Sequence, residues 1–131
     1  MRKENWPSIL TEQIKAARLR PFSWGEHDCA LFAASVINAM TGSELGKEFI
    51  GKYKTAAGAK KILDKHGGIE ALANKYFEQV PVYFCQRGDL VLTQRNGQLT
   101  LGICVGENCA FPGIEKLEYL KLSECIKAWR V

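Results

Sequence analysis

From Cys29 to Met40 nearly every side chain is apolar, and this stretch follows directly on a tight polar run, Trp24-Gly25-Glu26-His27-Asp28. A helix that is apolar on all sides has to be buried. Other elements must therefore wrap it, and its first turn must lie where the core meets a surface loop. A thiol in that turn faces the positive end of the helix dipole, which favours thiolate. Cys29 is thus the candidate nucleophile. Asp28 reads as the N-cap of the helix, and Thr41-Gly42 closes it.

At 131 residues the chain is expected to form one domain, long enough to bury roughly two thirds of its unfolded surface. Hydrophobic residues at 47% and charged residues at 24% are globular proportions, which exclude a disordered or collagen-like chain. The longest apolar run, Ala30 to Met40, is broken by Ser35 and Asn38 and is too short to span a bilayer. Met1-Arg2-Lys3 leads into Glu4 and Asn5 rather than an apolar segment, so no signal peptide is expected. Five cysteines, an odd number without a Cys-x-x-Cys pair, point to a reduced chain made in the cytoplasm. Cys85, Cys104 and Cys125 read as small hydrophobes, whereas Cys109 fits no pattern.

His27 and His66 are far apart and bring no clustered ligands, so neither metal nor cofactor is expected. The net charge of +4 is spread out. Lys60, Lys61 and Lys65 share one predicted helix, where they read as a solvated face. With no aromatic and basic residues interleaved, the pattern argues against nucleic acid as a partner. A small cytoplasmic binding module would rest on this charge alone.

Apolar spacing predicts a first helix over Pro7 to Leu19, stopped by Arg20-Pro21. After the buried helix, Ser43 to Lys54 reads as a connecting loop or a short extra element around Phe49, Ile50 and Tyr53. Helices follow over Thr55 to Lys65, ended by His66-Gly67-Gly68, and over Ile69 to Tyr76. Beyond Val80 the runs are β-branched or aromatic: Val80 to Phe84, Asp89 to Gln94, Leu99 to Gly106 and Leu117 to Leu122. Turn signals at Arg87-Gly88, Asn96-Gly97 and Pro112-Gly113 separate them. Ala128 to Val131 adds an edge strand. The expected fold class is α+β, with helices over about 5–77 packed on an antiparallel sheet over about 80–131.

A helix-borne cysteine packed on such a sheet is the skeleton of the papain-like fold. Phe22-Ser23-Trp24-Gly25, Asp28-Cys29 opening the helix, Arg87-Gly88-Asp89-Leu90-Val91 and Leu101-Gly102-Ile103-Cys104-Val105-Gly106 together resemble the NlpC-type cell-wall peptidases. The ending, Phe111-Pro112-Gly113 to Ala128-Trp129-Arg130-Val131, is similar to that of short proteins encoded in bacteriophage tail gene clusters. The resemblance implies a cysteine nucleophile, a histidine base on the strand after the Gly-Asp strand, and a polar residue on the next strand that orients the base.

Cys29 matches the nucleophile, but Thr100 stands where the family has its histidine, and a threonine hydroxyl is no base near neutral pH. The orienting residue falls near Ala110, with Glu107 and Asn108 close in sequence. Phe22 replaces a tyrosine, and Ala30-Leu31 replace a Ser-Gly pair. His27 is the substitute base to consider, against a structural reading as a loop residue that caps the helix or pairs with Glu26. Trp24 reads as a lid or as an aromatic at the rim of the cleft. Trp24, Asp28, Thr100, Glu107 and Asn108 would then line the cleft. The implied function is a catalytically degenerate component of a phage tail tip or hub, made in the host cytoplasm and incorporated in the virion. Its partners would be other tail proteins and peptidoglycan. The alternative is a working Cys29 peptidase on peptidoglycan stem peptides.

Overall fold

The computed structural model describes residues 1–131. Four helices come first: α1 (Trp6–Ala17), α2 (Cys29–Thr41), α3 (Ala56–Lys65) and α4 (Ile69–Tyr76). Six strands follow: β1 (Glu78–Val80), β2 (Leu90–Arg95), β3 (Gln98–Cys104), β4 (Asn108–Pro112), β5 (Leu117–Lys121) and β6 (Lys127–Arg130). They form one sheet in the order β1-β6-β2-β3-β4-β5, and each neighbouring pair is antiparallel. This is the expected α+β arrangement.

Local chemistry accounts for most boundaries. Pro7 stands in the first turn of α1, where its missing N–H costs nothing. Gly42 ends α2 with φ 80° and donates to the Asn38 carbonyl, a conformation glycine adopts without a Cβ clash. Thr55 caps α3 by accepting from the Gly58 amide, and His66 is its C-cap. Asn96 and Gly97 both have positive φ, as a tight hairpin between β2 and β3 requires.

Three sequence expectations need correction. Val80 to Phe84 is not a strand: β1 ends at Val80 and Val82–Phe84 is a 3-10 turn. Pro81 lies between them, lacking the N–H that would continue the ladder. Asn108–Pro112 is a strand that the sequence did not disclose, because a polar residue and a proline bracket its three apolar ones. The last strand is not at the edge either; β6 is hydrogen-bonded between β1 and β2.

Both faces of the sheet are covered. Leu90, Leu92, Leu101, Ile103, Ala110 and Trp129 share the main core with Phe32, Val36 and Met40 of α2. Their strand neighbours Val91, Cys104, Cys109, Phe111 and Ala128 build a second, smaller core with Cys125 on the opposite side. Period-two alternation sends adjacent residues to opposite faces, so β2, β3 and β4 lie in the interior on both sides. Gly102 marks the tightest contact of this packing, since a Cβ there would come within 2.5 Å of the Ala110 carbonyl and the Phe111 ring.

Asp89, wholly buried, joins the two ends of the chain. Its carboxylate accepts from the Arg2 guanidinium at 2.7 Å, from Arg130 at 3.1 Å and from the amides of Gln86 and Val131. A buried carboxylate needs such a set of partners to offset its lost hydration. The Arg87-Gly88-Asp89 tripeptide is therefore a structural turn entering β2.

Candidate functional site

The polar run before α2 folds into a turn in which Ser23 and His27 bridge through two backbone hydrogen bonds. It delivers Asp28 to the helix start in extended conformation. There Asp28, 2% exposed, does more than cap. Oδ1 accepts from the Leu31 amide at 3.0 Å, and Oδ2 accepts from the Gly25 amide at 3.0 Å and the Tyr53 hydroxyl at 2.6 Å. Gly25 has φ 80° and a Cβ there would stand 2.0 Å from the Tyr53 carbonyl oxygen, so only glycine permits this approach. The Gly51 amide also donates to the Gly25 carbonyl at 2.8 Å. The segment between α2 and α3 is thereby fastened to the loop that carries the site.

Cys29 follows Asp28 and packs against the main core. Its sulfur interacts with backbone groups of Leu101, Ala30 and Cys29 itself. Burial is the largest influence on the thiol and pushes its pKa up to about 11, the backbone contacts oppose this, and the Asp28 charge adds to it. The expected thiolate is thus corrected: loss of hydration outweighs the helix terminus. Tyr53 is likewise raised, by burial first and then by its bond to the Asp28 carboxylate.

His27 is 2% exposed. Its ring packs edge-on against Phe32 with centroids 5.7 Å apart, and its Nε2 is buried without a hydrogen-bond partner. Burial, followed by the Arg20 charge, lowers its pKa against a smaller opposing influence of Asp28. The imidazole is neutral at physiological pH and lies under the helix. It does not pair with Glu26.

Thr100 lies opposite Thr93 on β2 and turns its hydroxyl back to the Gln98 carbonyl at 3.4 Å. Its neighbour Leu101 is the one that shares the main core with Cys29, so by strand alternation the Thr100 side chain lies on the opposite face and the expected place in the cleft is corrected. Ala110, at the position of the orienting residue, is fully buried opposite Ile103. Glu107, in the β3–β4 connection, and Asn108, the first residue of β4, are exposed, beyond the end of β3 from Leu101. The structure does not bring these two to the thiol. Trp24 is half-buried and stacks edge-on with Phe22, centroids 4.7 Å apart.

The residue sequence reasoning missed is Tyr53. No periodicity marks it. The signal was indirect: an acidic N-cap at the head of a buried helix needs further donors, and a tyrosine flanked by Gly51 and a loop can supply one. Beneath the site, an apolar cavity of ≈ 70 Å³ is lined by residues including Ala30, Ala34, Leu45, Tyr53, Leu72 and Leu101. It suits an apolar group, not a charged peptide terminus. No helix is long and apolar enough to cross a membrane.

A cysteine at the head of a buried helix, laid on an antiparallel sheet in this order, defines the NlpC/p60-type papain-like fold. The chain is similar to the crystal structure of the NlpC/p60 domain of the peptidoglycan hydrolase SagA, with a TM-score of 0.64 and 15% identity over 95% of this chain and 98% of that one. It is also similar to a lipoprotein-like NLP/P60 family protein of Staphylococcus aureus, with a TM-score of 0.62 and 16% identity over 98% of this chain and 42% of that one. RipD of Mycobacterium tuberculosis, described as a non-catalytic NlpC/p60 domain protein adapted to peptidoglycan binding, gives a TM-score of 0.52 and 18% identity over 98% and 99% of the two chains. At these identities the likeness is one of fold. By sequence, the chain belongs to the family described as a domain of unknown function, DUF6950, which matches residues 1–131. No curated protein matches it.

Proposed function

We propose that this chain is a catalytically degenerate NlpC/p60-like domain that acts by binding, as a docking component of a bacteriophage tail tip or hub that meets peptidoglycan without cutting it. The observation that carries the reading is that the strand facing Cys29 presents Leu101 and Ile103 and no imidazole, while Thr100 lies on the other face of the sheet opposite Thr93 and burial raises the thiol pKa to about 11. Acyl transfer by cysteine needs a thiolate and a proton acceptor within hydrogen-bond reach. The non-catalytic, peptidoglycan-binding description of RipD shows that the fold accommodates such a role in another protein. The tail assignment is supported by the similarity of residues 111–131 to short tail-cluster proteins, and virion localisation follows from it.

Purified protein mixed with peptidoglycan sacculi separates binding from cleavage. Co-sedimentation without release of stem-peptide fragments is the expected result. Fragment release that is abolished in Cys29→Ala would establish the peptidase alternative instead. Mass spectrometry of purified tails tests the finer assignment, and tails that lack this chain would refute it.

A further inference from the structure

The cysteines other than Cys29 end up together. Cys85 follows the Val82–Phe84 turn, Cys104 is on β3, Cys109 on β4, and Cys125 follows the Leu122–Glu124 turn. All of them meet in the second core, on the opposite side of the sheet from Cys29. Cys85 interacts with Cys104, Cys104 with Cys109, and Cys109 with Cys125. The four cysteines do not form a group that could hold a metal ion.

The middle pair has the geometry of a cross-strand bond. Cys104 and Cys109 are direct partners in the β3–β4 register. Cys104 uses its backbone on the other side, donating to the Asp89 carbonyl at 2.9 Å and accepting from the Gly88 amide at 2.7 Å. The next pair outward, Val105 and Asn108, carries the β3–β4 hydrogen bond at 2.9 Å. Cys104 and Cys109 are therefore a non-hydrogen-bonded pair, whose Cα atoms lie about 4.5 Å apart. A disulfide spans roughly 4.4–6.8 Å between Cα atoms.

We propose that Cys104 and Cys109 are a redox pair, dithiol in a reducing compartment and a cross-strand disulfide once the protein meets a small-molecule disulfide, with Cys85 as the point of entry. Cys104 and Cys109 are 1% and 0% exposed and no oxidant reaches them directly. Cys85 is half-buried, with its sulfur at the surface 3.8 Å from the Gln86 carbonyl. The Cys85 thiolate attacks the oxidant's S–S bond and releases one small thiol. Cys104 then attacks the Cys85 sulfur and releases the second. Cys109 attacks the Cys104 sulfur, forming the Cys104–Cys109 bond and returning the Cys85 thiol. Two protein thiols are oxidised, one small disulfide is reduced to two thiols, and the two protons lost by the protein pass to them. Donation from the Cys109 and Cys85 thiols, with the nearby Arg2 charge, holds Cys104 below the usual thiol range, which suits it to the middle step. The same contacts and burial raise Cys85 and Cys109, so each gives up its proton as it attacks and the exchange is slow near neutral pH.

The test uses the reduced full chain, oxidised glutathione, an iodoacetamide quench in denaturant and cleavage after Glu107, which separates Cys104 from Cys109. The expected result is loss of two of the five thiols, a Cys104–Cys109 linked peptide, and Cys29 recovered alkylated. Cys85→Ser, checked for folding by circular dichroism, should give the same product at least tenfold more slowly. A stable product linking any other pair overturns the proposal, as does a folded wild-type chain that keeps all its thiols. One zinc ion per chain protecting all four thiols also overturns it, in favour of a metal site. An unchanged rate in Cys85→Ser overturns the route. Because this site lies on the face away from Cys29, none of these outcomes depends on the proposed function.

Discussion

Alkylation of Cys29 as a function of pH probes the feature on which the reading of the site depends. A thiol with its ordinary pKa of 9.0 is about 3% thiolate at pH 7.5, whereas one raised to about 11 is about 0.03% thiolate. Since only the thiolate reacts, Cys29 should alkylate roughly 100-fold more slowly than a free thiol at that pH. Iodoacetamide labelling followed by peptide mapping measures this for Cys29 separately from the other four cysteines. The rate should climb about tenfold per pH unit and keep climbing past pH 9. The same shift weakens the fold in alkali. Between about pH 9 and about pH 11 the unfolded chain has lost the Cys29 proton while the folded chain keeps it, so the unfolded state binds fewer protons and stability falls as pH rises. A labelling rate that levels off below about pH 8, or one that matches a free thiol at pH 7.5, would refute the argument, because either requires a charge or a base beside the sulfur.

Tyr53→Phe removes the 2.6 Å donor to the Asp28 carboxylate and should cost ~1.5–3 kcal/mol, as hydrogen bonds to charged groups do, read as a lower denaturant midpoint. Asp89→Ala strands the Arg2 and Arg130 guanidinium groups and two part-buried amides; a loss of ~3–5 kcal/mol is expected, with Asp89→Asn losing less, and unchanged thermal unfolding would contradict the clamp. Gly102→Ala drives a methyl into the Ala110 carbonyl and the Phe111 ring, so overpacking should destabilise by ~1–3 kcal/mol or more, measured by calorimetry.

Much of the fold is legible in the residue order because it depends on short-range rules. The nearly continuous apolar character of α2, the caps at Asp28 and Gly42, and the Asn96-Gly97 hairpin are each properties of a few consecutive residues, and the structure contains all of them. The break at Pro81 belongs to the same class of rule, though the surrounding β-branched residues concealed it. Asn108–Pro112 is different: it is a strand because β5 and the end of β3 pair with it, and pairing partners cannot be seen from within a five-residue window.

The candidate site divides the same way. Sequence alone determined that a thiol would open a buried helix behind an acidic cap, and that the sheet-forming half of the chain would hold no histidine. Only the tertiary structure decided that Tyr53 arrives from a distant loop to share Asp28, and that His27 turns against Phe32. It also decided that lost hydration around the half-buried Cys29 outweighs the helix dipole. Helix periodicity and capping act between residues a few positions apart, whereas desolvation is set by whatever the rest of the chain packs around a group. For the same reason four scattered cysteines came together only once the strands and turns carrying them had closed over one face of the sheet.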